Sequence, residues 1–225
     1  ASSIKLALIY ELYMKAAKGG VDLGALRPLP PPGERVFGSG VLPFLSARAQ
    51  LTVRDLAVLM MALSDNAATN ILIGEVGFDA VNARMDALGL PHTRLRRRMI
   101  DIAAARRGEE NVSTPLEMAG LIDAIRRGEG LPSGLADDLR AVVGLPKQTA
   151  FRAPLPDGVV ILDKPGELEG VRTSTGAVLL KHRPYALAIM TTALQREADG
   201  EAAITEVSRL VYETFDRLDR ASPEG

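Results

Sequence analysis

Apolar residues recur at helical spacing over residues 4–17, on almost every side of the helix that this spacing implies. An apolar surface all round is typical of a helix buried inside a domain. Gly19 and Gly20 end the pattern, and the proline- and glycine-rich residues 22–40 predict a loop. The pattern therefore predicts a central helix followed by a long irregular segment.

The middle of the chain has the periodicity of several helices. Thr52 with Asp55 three residues later predicts an N-terminal cap for a helix that continues to Leu63. Two more helical patterns cover residues 67–73 and 78–88. Residues 114–117, Thr-Pro-Leu-Glu, combine a capping box with a proline in the first turn and predict a helix to about residue 127.

The last third of the chain changes to short apolar runs bounded by glycine and proline, at residues 159–162, 176–181 and 185–192. These runs predict strands that pair antiparallel because their connections are short. A closing amphipathic helix is predicted over residues 202–218. Helices on both sides of such a sheet give an α/β (α+β) fold, with an antiparallel sheet flanked by helices and an all-helical lobe.

Composition removes several classes of function. The chain has 225 residues, no cysteine, and 27 basic against 28 acidic residues. Thiolate catalysis is therefore excluded, and the near-neutral charge does not favour nucleic acid as a partner. No apolar run is long enough to predict a membrane span. His92 and His182 have no ligand neighbours at metal spacing, so we expect no metal and no cofactor.

Ser2 and Lys5 are candidate catalytic residues because positions i and i+3 share one face of a helix. The N-terminus of a helix favours negative charge, which helps a serine alkoxide to form. Taken alone, the pair is better explained as a helix-capping serine and a solvated lysine, because serine near a helix start is among the commonest arrangements.

Two further triplets change this interpretation. Ser64-Asp65-Asn66 lies between two helical patterns, and Lys164-Pro165-Gly166 comes just after a predicted strand. The order S-x-x-K, S-D-N and a K-[ST]-G-like triplet resembles the class A β-lactamase and penicillin-binding-protein superfamily, and the resemblance covers nearly the whole chain. It implies one domain over residues 1–225, with a helical lobe at about 20–150, the sheet and closing helix at about 158–220, and the active site in the cleft between them.

The resemblance also implies a role for each matching residue. Ser2 would be the nucleophile that forms an acyl-enzyme, and Lys5 would accept its proton directly or through water. Ser64 would pass a proton to the leaving nitrogen, and Lys164 would hold that hydroxyl and attract the substrate carboxylate. Asn66 would bind the substrate's side-chain amide.

The remaining implied contacts lie on the predicted sheet. The backbone N–H groups of Ser2 and of Glu167, which follows Gly166, would form the oxyanion hole. Arg172 would reach from the neighbouring strand toward the substrate carboxylate.

The sequence departs from the family pattern at two positions, one that affects turnover of the acyl-enzyme and one that affects recognition of the substrate. Met99 stands where class A β-lactamases have the glutamate that activates water, and methionine cannot act as a base. Asp101 is the nearest carboxylate and the candidate replacement, whereas Glu109 and Glu110 are predicted to be a solvated pair. Pro165 replaces a hydroxyl residue that binds the substrate carboxylate.

Other expectations concern the chain outside the site. The family has a helix and two strands before its nucleophile, so either those residues are missing from this sequence, which we favour, or the sheet has three strands only. Arg94, Arg96, Arg97 and Arg98 predict a solvated or ion-paired loop, in which Arg97 pairs with a polar partner near Asn111.

The predicted function is a serine acyl-hydrolase that opens β-lactams or related amides. The alternatives are a D-alanyl peptidase or esterase of the same fold, or a non-turnover penicillin-binding or sensor domain. The expected partner is a small β-lactam or D-alanyl-type molecule, and the resemblance implies a secreted or periplasmic protein. The sequence leaves the oligomeric state open.

Overall fold

A computed structural model describes residues 1–222 of the chain. Its helices are α1 (Lys5–Ala17), α2 (Val53–Ala62), α3 (Asn66–Val76), α4 (Phe78–Ala87), α5 (Ile102–Arg106), α6 (Pro115–Arg127), α7 (Ser133–Val143) and α8 (Glu197–Arg220). Its strands are β1 (Leu26–Pro28), β2 (Gln50–Thr52), β3 (Ile161–Leu168), β4 (Val171–Val178) and β5 (Tyr185–Thr191).

Helix α1 is the centre of the molecule, as its apolar pattern predicts. Leu6, Leu8, Ile9 and Leu12 have no exposed surface, and α1 contacts α3, α4, α6 and α7. A 3₁₀ turn at Ser2–Ile4 precedes the helix. The position of Ser2 at the start of a buried helix is therefore confirmed.

Local capping signals account for the predicted helix ends. Thr52 and Asp55 form both hydrogen bonds of a capping box before α2. Gly128 ends α6 in the left-handed conformation. The capping box predicted at α6 forms only in part, because Thr114 accepts from Glu117 N–H while the Glu117 carboxylate accepts from His92 and Thr93 instead.

The main sheet has the order β3-β4-β5 with antiparallel pairing throughout. Lys164 pairs with Thr175, and Gly166 pairs with Thr173. Helix α8 packs against β4 and β5, and α6 also contacts both strands. The expected architecture, an antiparallel sheet flanked by helices plus a helical lobe, is confirmed.

Two strand predictions were wrong in their bounds. Strand β3 begins at Ile161 rather than 159 and continues to Leu168, so Lys164-Pro165-Gly166 lies inside the strand and not after it. Strand β4 covers Val171–Val178 rather than 176–181, because its polar residues are buried by packing that an apolar-run criterion does not detect. Pro165 is tolerated because β3 is an edge strand of this sheet.

Several elements were not predicted. The loop expected at residues 22–40 contains β1, which pairs with β2, and α5 and α7 have no counterpart among the predicted helices. Helix α8 begins at Glu197 rather than 202 and ends at Arg220 rather than 218. The prediction of this helix followed its apolar stripe. The stripe begins after the first turn of α8, which is charged, and is therefore shorter than the helix.

Candidate active site

Strand β3 lies directly against the turn that holds Ser2. A Cβ atom on Gly166 would stand 2.8 Å from Ser2 N and 2.5 Å from Thr173 Oγ1, so only glycine permits this approach. Ser3 is buried, and its Oγ is 2.7 Å from Thr173 Oγ1. These contacts fix the candidate nucleophile beside the edge strand.

Asp65 organises the turn between α2 and α3. Its Oδ1 accepts from Ala68 N–H at 2.9 Å and caps α3, and its Oδ2 accepts from the N–H groups of Val41 and Leu42, each at 2.8 Å. Ser64 precedes it with φ 54°, a left-handed conformation uncommon for serine. The turn thereby presents the side chains on either side of Asp65 to the buried amine of α1.

Lys5 is fully buried and contacts both of those side chains. Its Nζ lies 2.7 Å from Ser64 O, 3.0 Å from Ser64 Oγ and 3.0 Å from Asn66 Oδ1. Desolvation on burial, followed by the charge of Lys164, lowers the pKa of Lys5 to about 6 despite the opposing charge of Asp65. The amine is therefore neutral over most of the neutral pH range.

A neutral Lys5 sets the direction of these hydrogen bonds. It has two hydrogens and one lone pair, and Ser64 O and Asn66 Oδ1 can only accept. Ser64 Oγ is a third acceptor of Lys5 Nζ, so the two hydrogens are shared among three oxygens. The lone pair is then left for a proton from another group.

Lys164 approaches the same hydroxyl from β3. Its Nζ is 3.0 Å from Ser64 Oγ and 3.0 Å from Pro165 O. Desolvation on burial and then the charge of Lys147 lower the pKa of Lys164 to about 7, against Asp163 and Glu167. One serine hydroxyl therefore lies between two buried amines.

Two cavities meet at Ser2. The lysine cavity, of about 210 Å³, is lined by Ser2, Ser64, Lys147, Lys164 and Glu167 among others. The isoleucine cavity, of about 240 Å³, is lined by Ser2, Asn66, Met99, Ile100, Ile102 and Leu168 among others. The fold therefore brings the three sequence triplets to one cleft between the helical lobe and the sheet.

Arg172 extends from β4 toward α8. Its guanidinium donates to Glu197, to Glu201 at 3.1 Å, and to the carbonyl oxygens of Leu168 and Val171. It lines a third cavity, of about 560 Å³, that adjoins the lysine cavity at Pro165 and Glu167. Contact between Arg172 and a substrate carboxylate stays a prediction. It would require the guanidinium to give up some of these hydrogen bonds in favour of the substrate.

The sequence profile of the beta-lactamase enzyme family matches residues 1–215. The chain belongs to this family. Beta-lactamase OXY-2 of Klebsiella oxytoca is 31% identical over 162 residues, which are 68% of this chain and 55% of that protein. The chain thus spans about half the length of this curated relative.

Solved structures agree with this assignment. The β-lactamase of Sphaerobacter thermophilus has a TM-score of 0.86 at 28% identity and covers 100% of this chain and 84% of its own. PBP-A has a TM-score of 0.86 at 26% identity, covering 96% of this chain and 81% of its own. A leucine-to-glutamate variant of PBP-A is described as an acyl-enzyme complex with penicillin G. The resemblance to the class A β-lactamase and penicillin-binding-protein superfamily is confirmed.

The loop that departs from the family pattern has a defined geometry. Met99 is buried in the hydrophobic core and is one of the residues that line the isoleucine cavity, at the position where the family pattern has a glutamate. Asp101 caps α5, with Oδ1 accepting from Ala104 N–H at 2.9 Å, and is not among the residues that line either cavity at Ser2. The geometry therefore does not favour Asp101 as a replacement base.

Sequence reasoning missed the environment of Glu110. It was predicted to be a solvated carboxylate, but it pairs with Arg97 at 2.9 Å and lines the isoleucine cavity; Glu109 pairs with Arg107 at 2.8 Å. The predicted pairing of Arg97 with a polar partner near Asn111 is confirmed: the partner is Glu110, and Arg97 N–H also donates to Asn111 Oδ1 at 3.1 Å. The arginine-rich segment was the only sequence signal for this pairing.

Lys147 is a second residue that the sequence analysis missed. It lines the lysine cavity, and its Nζ lies 2.8 Å from Val143 O and 3.3 Å from Asp163 Oδ1. Arg152 also pairs with Asp163, at 2.7 Å. These bonds hold strand β3 in place at Asp163, the residue before Lys164. No local sequence motif predicts them.

Residues 1–222 contain neither a cluster of metal-binding side chains nor a membrane-spanning helix. No group of three or more His, Cys, Asp or Glu side chains within this range is arranged to hold a metal ion. None of its helices is long and apolar enough to cross a membrane.

Proposed function

We propose that this protein is a serine acyl-hydrolase that opens β-lactams or related amides through an acyl-enzyme on Ser2. The observation that supports this most strongly is the Ser64 hydroxyl, 3.0 Å from the buried amines of both Lys5 and Lys164 beside the cavity that contains Ser2. A serine hydroxyl is a weak nucleophile and needs an adjacent base. We assign that role to Lys5, three residues along the chain from Ser2, because its amine is buried and burial lowers its pKa to about 6; its hydrogen bonds in the structure are to Ser64 and Asn66.

Acylation then moves one proton from Ser2 to the leaving nitrogen. Ser2 Oγ attacks the carbonyl carbon, and Lys5 takes its proton directly or through water. As the C–N bond breaks, Ser64 gives its hydroxyl proton to the nitrogen and regains one from Lys5, across their 3.0 Å contact. Lys5 returns to its neutral state, so the step balances.

The backbone supplies the electrostatic stabilisation in this proposal. The N–H groups of Ser2 and Glu167 hold the oxyanion that forms on the carbonyl oxygen. The close packing of Gly166 against Ser2 N supports this assignment, since it brings the edge strand to the nucleophile.

In this proposal, groups on both walls of the cleft orient the substrate. Protonated Lys164 attracts the carboxylate of the substrate, and Asn66, which lines the isoleucine cavity, binds the amide of its acyl side chain. We do not assign Arg172 to the initial binding of substrate, because its guanidinium already donates hydrogen bonds to α8 and to the β3–β4 turn.

A second candidate function differs in the fate of the acyl-enzyme. Met99 cannot activate water, and Asp101 is engaged in capping α5. These observations favour a long-lived acyl-enzyme, as in a penicillin-binding or sensor protein, or a natural donor other than a β-lactam, as in a D-alanyl peptidase or esterase. PBP-A, one of the similar structures, has a variant recorded as a penicillin G acyl-enzyme.

The deciding experiment is an intact-mass time course with a penicillin and a cephalosporin, with Ser2→Ala as the matched control. An adduct that forms on the parent protein and decays with release of opened product supports a β-lactamase. An adduct that persists supports the penicillin-binding alternative. Full labelling of Ser2→Ala would overturn the assignment of the nucleophile.

The proposal extends to organisation and location. Residues 1–225 form a single β-lactamase-like domain, with a helical lobe at about 20–150 and a sheet and closing helix at about 158–220. The natural partner is a small β-lactam or D-alanyl-type molecule, and the protein acts outside the cytoplasm, secreted or periplasmic. Protease protection of intact cells, measured with an antibody to this protein, tests the location.

A further inference from the structure

A cluster of charged side chains lies beside strand β3 and has no role in the proposed mechanism. Asp163, the residue before Lys164, has no exposed surface. Its Oδ1 accepts from Arg152 at 2.7 Å and from Lys147 at 3.3 Å, and its Oδ2 accepts from Thr149 Oγ1 at 2.9 Å. One buried carboxylate therefore has two cations as partners.

The contacts of Lys147 favour its charged form. Its Nζ donates to Val143 O at 2.8 Å, to Asp163 O at 3.2 Å and to Asp163 Oδ1 at 3.3 Å. An ammonium group has three hydrogens for these three oxygens, whereas a neutral amine would turn its lone pair toward one of them. Burial lowers the pKa of Lys147, and the charge of Asp163 opposes this shift. The three acceptors therefore favour a lysine that keeps its proton at neutral pH.

The charges of this cluster do not cancel. Lys147 and Arg152 carry two positive charges against the one negative charge of Asp163. The side chains of Lys147 and Asp163 are 6% and 0% exposed, so solvent screens the excess charge poorly. The cluster therefore leaves one uncompensated positive charge next to Lys164, which is itself 1% exposed.

This excess charge bears on the active site because Lys147 and Lys164 line the same lysine cavity. A like charge nearby disfavours the protonated form of an amine. After desolvation, the charge of Lys147 contributes most to lowering the pKa of Lys164 to about 7. The positions of the two side chains and the charge count of the cluster thus lead to the same conclusion.

The other charged groups around Lys164 act differently. Lys5 faces it from α1 and is neutral over most of the neutral pH range. Asp163 and Glu167, both on β3, favour the protonated form of Lys164. Arg172 on β4 extends toward α8 instead. The cation of the cluster therefore acts against the two carboxylates.

We propose that Lys147 is a positioning residue whose charge sets the pH at which Lys164 releases its proton, and thereby the upper pH limit of acylation. This inference rests on the proposed function, in which protonated Lys164 attracts the substrate carboxylate. Lys147 takes no part in bond making, because its ammonium group is engaged by Val143 and Asp163.

The first test observes both lysines in the parent protein. With ¹³C at lysine Cε, the NMR shift of each side chain follows the protonation of its amine, and loss of a signal in Lys147→Arg or Lys164→Arg assigns it. Lys164 should titrate near 7 while Lys147 stays protonated. A Lys147 that loses its proton at a lower pH than Lys164 would overturn the proposal.

The second test removes the charge of Lys147. In Lys147→Met and Lys147→Gln the buried Asp163 still pairs with Arg152. In both variants the titration of Lys164 and the falling limb of the acylation rate should move to higher pH by about one unit. Glutamine can still donate to Val143 O, so agreement between the two variants assigns the shift to charge and not to a lost hydrogen bond.

Two further variants serve as matched controls. Lys147→Arg keeps the charge, and Thr149→Val removes a hydrogen bond to Asp163 but no charge. Both should leave the titration of Lys164 where it is in the parent protein, whatever they do to the maximal rate. Thermal unfolding follows the fold of each variant. A merely structural role of Lys147 would lower the rate at every pH and leave the midpoint in place.

The outcomes separate the two proposals. If no β-lactam labels Ser2 while the neutral variants move the titration of Lys164, the proposed function fails and the charge coupling stands. If Lys164 titrates at the same pH in the parent and in both neutral variants, the coupling is overturned, whether or not Ser2 is acylated. If the titration moves but the falling limb does not, the link between Lys147 and acylation is overturned.

Discussion

Asn70 holds both polar groups of the Met99 main chain. Met99 N–H donates to Asn70 Oδ1 at 2.7 Å, and Asn70 Nδ2 donates to Met99 C=O at 3.1 Å. These two bonds fix the backbone of Met99, which is one of the residues that line the cavity beside Ser2. A glutamate at this position would keep both main-chain hydrogen bonds and therefore the path of the loop.

We therefore expect Met99→Glu to shorten the lifetime of the acyl-enzyme. A general base that activates water contributes about 10²–10⁴-fold, so the rate constant for loss of the penicillin adduct should rise by a factor in that range. Intact mass after removal of free penicillin measures it. Met99→Gln is the matched control, and equal decay in the two variants would exclude a base at this position.

Asp101 provides the converse prediction. Because its carboxylate caps α5 and does not line the cavities at Ser2, Asp101→Asn should leave the decay of the adduct within about twofold of the parent. Asparagine retains the capping oxygen, so the helix is preserved. A tenfold slower decay would restore Asp101 as the base.

The pKa values of the two buried lysines predict a bell-shaped pH profile for acylation. Lys5 must lose its proton to act as a base, so the rate should rise as the pH passes about 6. Lys164 must keep its proton to attract a carboxylate, so the rate should fall above about 7. The measurement is the second-order acylation rate from pH 5 to 9.

Lys164→Arg separates the two limbs of this profile. Arginine stays protonated over the whole range, so the falling limb should disappear while the rising limb remains. A falling limb that persists in this variant would assign it to another group. Thermal unfolding of the variant serves as the control for its fold.

Local signals explain what the sequence could predict. The cap at Thr52 and the proline start of α6 depend on neighbours three residues away, and both helices form where these signals lie. The meeting of Ser64 and Lys164 was implied by the family resemblance rather than by local pattern. The bounds of β4 could not be predicted, because Ser174 and Thr175 are polar and are buried only by the tertiary packing.

Other features of the site depend on contacts distant in sequence. No sequence signal predicts the positive φ of Ile100, because a β-branched residue normally avoids the left-handed region. The pairing of Arg97 with Glu110 joins the two ends of one loop. The engagement of Arg172 by Glu197 and Glu201 depends on where α8 packs. Each is settled by the fold and not by the motif.

Burial of Lys5 also predicts how stability depends on pH. The folded pKa is about 6 against 10.5 for the free side chain, so between these values the unfolded chain binds a proton that the folded protein does not. The free energy of unfolding should therefore rise with pH across this window.

Lys5→Met removes this contribution. From pH 6 to pH 8 the parent protein should gain up to about 2 kcal/mol relative to the variant. Urea unfolding at the two pH values measures the difference. A variant whose stability rises with pH as steeply as the parent's would show that Lys5 does not titrate in this way.

Gly40 supports the site through Asp65. Its φ is 106°, and a Cβ atom there would lie 2.2 Å from the Asp65 carboxyl group, which is fully buried. Gly40→Ala must therefore both strain the backbone and displace the carboxylate that caps α3 and binds the Val41 and Leu42 N–H groups. We expect the free energy of unfolding to fall by about 2 kcal/mol or more.

Activity should fall with stability in this variant, because the Asp65 turn presents Ser64 to Lys5. Urea unfolding and the acylation rate measured on the folded fraction follow the two effects separately. Gly33→Ala is the control, since a Cβ atom at Gly33 would meet nothing within 4 Å. If Gly40→Ala acylates as fast as Gly33→Ala despite its lower stability, the Asp65 turn is not needed to align Ser64, and its contribution is to folding alone.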